Sequence, residues 1–196
     1  MRKGRHKRFD KKSGLWQPTS KWVYQCWYKY LQHAERDTDR TVDWSKYDGW
    51  GDAETILNTE FRDWWEKHWK DLFGFIKNET EPRFPLATTR PQVDGIKYSL
   101  VVYELHKNNP EMDYWELAKV VAQSEYPRRR YKGSIDPNYK PDAWTFNNAR
   151  PAIRRKLEKE DMKDFKEKQR NMRSRVGRYL IVANRHLDNV CQGKFP

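Results

Sequence analysis

Apolar positions recur at helical spacing in several separate stretches of the chain, with polar residues between them. Val23, Cys26, Trp27, Tyr30, Leu31 and Ala34 return every three or four residues. That spacing predicts one apolar helix face over residues 20–36, with Thr19 or Ser20 as its N-cap. Phe61, Trp64, Trp65, His68, Trp69, Leu72 and Phe73 repeat the pattern, with Thr59 placed to cap the segment and Gly74 to stop it. Trp27 and Tyr30 set against Trp64 and Trp69 predict an aromatic helical hairpin. Residues 37–58 read as a loop or a broken short helix, clamped to the body by Trp44, Tyr47 and Trp50.

The second half is less regular. Residues 75–94, with Pro82, Pro85 and Pro91, read as an irregular bridge. From Ile96 to Lys107 two patterns compete. Ile96, Tyr98, Leu100 and Val102 alternate as in a strand, while Ile96, Leu100, Tyr103 and Lys107 fit a helix, the assignment preferred here. Asn109-Pro110 interrupts the chain, and Asp113 caps a short helix carrying Trp115, Leu117, Ala118 and Val121. Residues 127–148 have turn residues and no period, which predicts a long loop. Pro151 suits a first helical turn, with Ile153, Leu157, Met162 and Phe165 facing inward. Met172, Val176, Tyr179, Leu180, Ala183, Leu187 and Val190 form a further apolar seam, on the same helix or on a second one. Gly193 ends it, and Phe195 folds back.

These elements make the chain all-α or predominantly α. A basic arm (1–18, expected to be flexible) precedes an aromatic, Trp-rich helical lobe (19–92). That lobe packs with a basic helical lobe (93–196) containing a loop at about 125–150, an arrangement open to a helix-turn-helix-like form. Charged residues make up 35% of the chain and hydrophobic ones only 36%, which would favour disorder were aromatics not 15% of the total. Each ring buries roughly 150–250 Å², so a thin aliphatic complement still closes a core.

The net charge of +12 is segregated. Residues 1–12 hold seven Lys and Arg against one Asp, residues 13–124 hold fourteen against eighteen acids, and residues 125–196 hold nineteen against nine. A packed, slightly acidic middle with basic ends points to a polyanionic partner, nucleic acid foremost and DNA ahead of RNA. No apolar run reaches the ~20 residues needed to cross a bilayer, and no apolar segment follows the basic start, so a cytoplasmic location without membrane contact is expected. Cys26 and Cys191 are read as packing thiols.

The candidate contacts fall in three groups. With about 100° per residue and the seam at Val176 set to zero, Arg170, Arg178 and Arg185 fall roughly 120–200° away on the outward face. Arg173 and Arg175 flank the seam. Such a face neutralises phosphates and has the width of a major-groove reader. The loop residues Arg128, Arg129, Arg130 and Lys132, with Tyr131, combine cation and ring in a way suited to phosphate contact and stacking. Arg154, Arg155 and Lys156 extend the patch. Ile181 and Val182 point off the seam and call for cover from another helix or a second subunit. A homodimer or protein partner stays open on that ground.

Catalysis is not expected. His6, His33, His68, His106 and His186 stand at no metal-ligand spacing, and there is no phosphate-cradling glycine loop or nucleophile elbow. No cofactor or metal is called for. Asp136, Asp142, Glu158 and Asp161 offer a carboxylate set for a metal-dependent nuclease, but a charged chain supplies such sets by chance.

Four pieces, KWVYQCWYKYL (21–31), FRDWWEKHWKDLF (61–73), VVYELHKNNPEMDYWELAK (101–119) and VGRYLIVANRHLDNVCQGKFP (176–196), resemble a set of bacterial and mobile-element proteins with no assigned activity. The resemblance implies that the helical blocks form one inherited unit, with 125–150 variable, in a phage, plasmid or integrated-element setting.

Overall fold

The computed structural model describes residues 8–17, 21–74, 83–84, 86–87, 91–123 and 151–195; in the last helix the side chains described are Lys159 and those from Met162 onward. Two short strands, β1 (Arg8–Asp10) and β2 (Leu15–Gln17), pair antiparallel, with Phe9 opposite Trp16. The helices are α1 (Lys21–Glu35), α2 (Ala53–Asn58), α3 (Phe61–Phe73), α4 (Val93–Asn108), α5 (Tyr114–Gln123) and α6 (Pro151–Cys191), with a 3-10 turn at Trp44–Lys46. The predominantly α expectation holds. Residues 8–17, within the stretch read as a basic arm, form a short hairpin, with Gly14 at φ +71° in its turn.

The chain divides into two compact units. The first comprises residues 1–100 and 182–196, the second residues 101–181. In this division the end of the chain belongs with the aromatic unit. Phe195 explains why. Its ring is buried against Trp27 (centroids 5.7 Å), Tyr30 (5.6 Å) and His186 (5.1 Å).

In the first unit the core is made of rings. Trp27, Trp50, Trp64, Trp65 and Phe73 are all at most 1% exposed. Trp50 lies 4.7 Å from Trp64, 5.3 Å from Trp27 and 5.1 Å from Tyr47, and Trp65 stacks on Phe73 at 5.0 Å. Buried polar tips need partners, and most find backbone carbonyls. Tyr24 donates to Phe84 O (3.1 Å), Tyr47 to Val190 O (2.5 Å) and Trp64 Nε1 to Trp50 O (2.8 Å). The Tyr30 and Ser99 hydroxyls share a 2.9 Å hydrogen bond beside Ile96 O, to which Ser99 Oγ donates at 2.9 Å.

Local sequence explains the helix ends. Asp52 caps α2 by accepting from Thr55 N at 2.8 Å. Thr59, expected to cap α3, is the C-cap of α2, and Glu60 occupies the α3 cap without a side-chain bond. Gly74 does end α3, but at φ −69°, so crowding and not handedness requires it: a Cβ there would lie 2.4 Å from Lys70 O and 2.9 Å from Leu15 Cδ1. At the end of α6, Gly193 takes φ +69° and donates to Val190 O, while Lys194 N donates to Asn189 O. This is the paired closure that favours glycine past a helix terminus.

The second unit contains the end of α4, α5 and α6 up to Ile181. Its buried side chains are Val102, Trp115, Leu117, Ala118, Val121, Met172, Val176 and Leu180. The question of one helix or two after residue 149 is answered by α6, which is continuous for 41 residues. Phe165 and Met162 were expected to face inward. They are 40% and 54% exposed, and Phe165 meets Trp115 only edge-on at 5.8 Å.

Candidate nucleic-acid interface

Met172, Val176 and Leu180 are buried, spaced four apart on α6. Arg170, Arg173, Arg175 and Arg178 are all exposed. The seam and the outward face inferred from periodicity are thus separated by burial. Arg170 and Arg178 form no ion pair among the described residues. Arg173 is committed elsewhere: its Nη2 donates to Asp113 Oδ2 at 2.7 Å. That bond, ahead of the guanidinium charge, holds the Asp113 carboxyl below its ordinary range. Asp113 also opens α5, accepting from Trp115 N at 3.4 Å, so Arg173 ties α6 to the start of α5.

Of the other predicted contacts, Arg185 is the one whose side chain is described. Arg185 is exposed but belongs to the first unit. Arg128, Arg129, Arg130 and Lys132 lie outside the described residues, as do the side chains of Arg154, Arg155 and Lys156. The carboxylates of the nuclease alternative, Asp136, Asp142, Glu158 and Asp161, lie outside them too. A helix-turn-helix unit formed by α5 and α6 would need a tight turn between them, whereas residues 124–150 intervene.

Most tryptophans of the Trp-rich middle are core. Trp27, Trp50, Trp64, Trp65 and Trp69 are buried, while Trp22 is exposed beneath Lys97 Nζ at 3.6 Å from its ring. His68 is half-buried and stacks on Trp64 at 5.4 Å; burial, then Lys67, lowers its pKa. His186 is more deeply held, between Tyr30 and Phe195, and burial, followed by Arg185, lowers its pKa to about 4. The two cysteines are not joined in a disulfide; Cys26 is buried and Cys191 half-buried. Among the described residues no cluster of metal-ligating side chains occurs, and no helix is long and apolar enough to cross a membrane.

One feature of the first unit has no counterpart in the periodic reading. A cleft of about 370 Å³ is lined by Trp27, Phe84 and Phe195 together with Lys46, Arg83 and Lys194, and by Leu86, Ala87 and Gly193. Its cations come from a 3-10 turn, the irregular bridge and the chain end. No hydrophobic period could have joined them. No family model, curated protein or solved structure matches the chain.

Proposed function

We propose that this chain is a non-catalytic nucleic-acid-binding protein, acting on DNA in preference to RNA, in the cytoplasm and in a mobile-element setting. One observation carries the reading: on α6 the exposed Arg170 and Arg178 stand away from a buried apolar seam that the exposed Arg175 flanks, in a chain whose positive charge is concentrated toward its two ends. Arg170, Arg175 and Arg178 hold phosphates, and the basic stretches at 1–7, 128–132 and 154–156 add to them. Cationic side chains that displace condensed counterions bind duplexes with little sequence preference.

The test is affinity for random duplex DNA at two salt concentrations. The affinity is expected to fall steeply with salt, with a log–log slope of about −0.9 per phosphate neutralised. Absence of binding at low salt defeats the proposal; equal or tighter binding to an RNA duplex reassigns the substrate.

A second reading, a protein-binding or structural component, draws on a different observation. Ile181 is 62% exposed on the side of α6 away from the Val176 seam, beside the half-buried Val182. Exposed apolar groups of this size mark contact surfaces when they are contiguous. Under that reading the chain self-associates or captures a partner independently of salt, and Ile181→Lys abolishes the association.

A further inference from the structure

The arginines of α6 share their stripe with one large apolar side chain. At about 100° per residue, with Arg170 set to zero, Ser174, Arg178 and Ile181 fall at roughly 40°, 80° and 20°. The buried Met172, Val176 and Leu180 fall at roughly 200–280°, on the other side of the helix. Arg170, Ser174 and Arg178 are exposed, and Ile181 is 62% exposed. Ile181 therefore belongs to the cationic stripe and not to the edge of the seam. Gly177 lies about one turn before it on the same side, where the Tyr114 ring comes 3.7 Å from the place a Cβ would take. That ring, 38% exposed, adds apolar surface beside the stripe.

The charge around Ile181 says what covers it. From Lys168 to Ile181 the helix carries no carboxylate, and Asp113, which reaches α6 from the start of α5, is paired with Arg173. A second copy of the chain set symmetrically on this stripe would bring the same arginines face to face, and like charges oppose that contact. A polyanion that also offers an apolar group is complementary to it. Duplex DNA is such a partner: its major groove admits an α-helix, phosphates flank the groove, and the C5 methyl of thymine is an apolar group exposed within it. RNA carries uracil without that methyl, and the deep, narrow major groove of its duplex is closed to side chains.

From this placement we infer that Ile181 packs on the C5 methyl of thymine in the major groove while Arg170 and Arg178 hold the flanking phosphates. The inference rests on the proposed DNA binding and narrows it. Arginines set the affinity; one isoleucine sets a preference for thymine, and with it for DNA over RNA.

The experiment compares two duplexes of the same alternating A·T sequence, one with thymidine and one with deoxyuridine throughout, which differ by that methyl group alone. Affinities of the full chain are read by fluorescence anisotropy at low salt, for the unaltered protein and for Ile181→Ala. The unaltered protein is expected to bind the thymidine duplex about fourfold more tightly, the worth of one methyl group removed from water. In Ile181→Ala that preference disappears, with the thermal midpoint in place because the side chain is exposed. Equal affinities in the unaltered protein, or a preference that survives Ile181→Ala, overturn the inference and leave the proposed function standing. Failure to bind either duplex at low salt overturns both. Sedimentation velocity without DNA supplies a further arm: self-association that Ile181→Ala abolishes puts a second copy on this surface and overturns the inference.

Discussion

The two units reach a closed core by different means. In the first, four fully buried tryptophans meet one another and their neighbours ring to ring, and the polar tips of the tyrosines are tied to carbonyls far away in sequence. In the second, Trp115 is the buried aromatic among the described residues, and small aliphatic side chains do the rest. A small, partly open pocket of about 10 Å³ is lined by Val102, Ala118, Val121, Met172, Arg175, Val176 and Tyr179. The difference teaches how a chain this charged folds. Large rings concentrate the burial in one unit, and the other is left with a narrow seam and a wide exposed face on which arginines can be displayed.

The comparison breaks first at the cores. Trp50→Ala removes a ring that touches Trp27, Tyr47, Trp64, Phe73 and Phe84. It is expected to cost about 3–5 kcal/mol by urea denaturation. Met172→Ala, beside the small open pocket, is expected to cost about 2 kcal/mol, the low end for such truncations. The reverse order would show that the aliphatic seam, not the ring cluster, dominates stability.

A smaller effect sharpens the view of the first unit. His186 is buried and its Nδ1 has no hydrogen-bond partner among the described residues. Its pKa is lowered to about 4, so the folded protein binds fewer protons than the unfolded chain once the pH drops below the ordinary histidine value. Stability is therefore full above about pH 6.5 and is lost as the pH falls towards 4, by about 2 kcal/mol at pH 4.5. Denaturation midpoints at pH 7 and pH 4.5, compared with those of His186→Gln, isolate this share. An equal fall in both proteins would place the acid sensitivity elsewhere.

The smallest effect concerns the second unit. Asp113→Ala releases Arg173 from its ion pair, so the salt slope of DNA binding should steepen by up to about 0.9. A shallower slope would mean that the pair orients α6 for binding and does not merely withhold a charge.

How much of this was legible in the sequence follows the same division. The face of α3 and the seam of α6 could be read because each buries one stripe and exposes the other, which preserves the 3.6-residue period. The ambiguity over α4 has a physical cause: Ile96, Tyr98, Ser99, Leu100 and Val102 are all buried. A helix covered on more than one side loses its clean stripe and imitates alternation. Met162 and Phe165 were misjudged because periodicity shows which residues share a face and not whether anything covers it. The hairpin at 8–17 was missed because its strands are three residues long, too short for a period. Of the candidate interface, the exposed arginines of α6 were legible, but the Asp113–Arg173 pair was not, since it joins positions sixty residues apart. The cleft was invisible for the same reason, its cations coming from three segments without any pattern.

The most direct test of the central claim is the salt dependence of duplex DNA binding by the chain carrying Arg170→Ala, Arg175→Ala and Arg178→Ala together, measured beside the unaltered protein. If α6 presents these three side chains to phosphates, the slope becomes shallower by about 2.7 while the thermal midpoint stays in place. An unchanged slope would contradict the account and leave α6 without a role in binding.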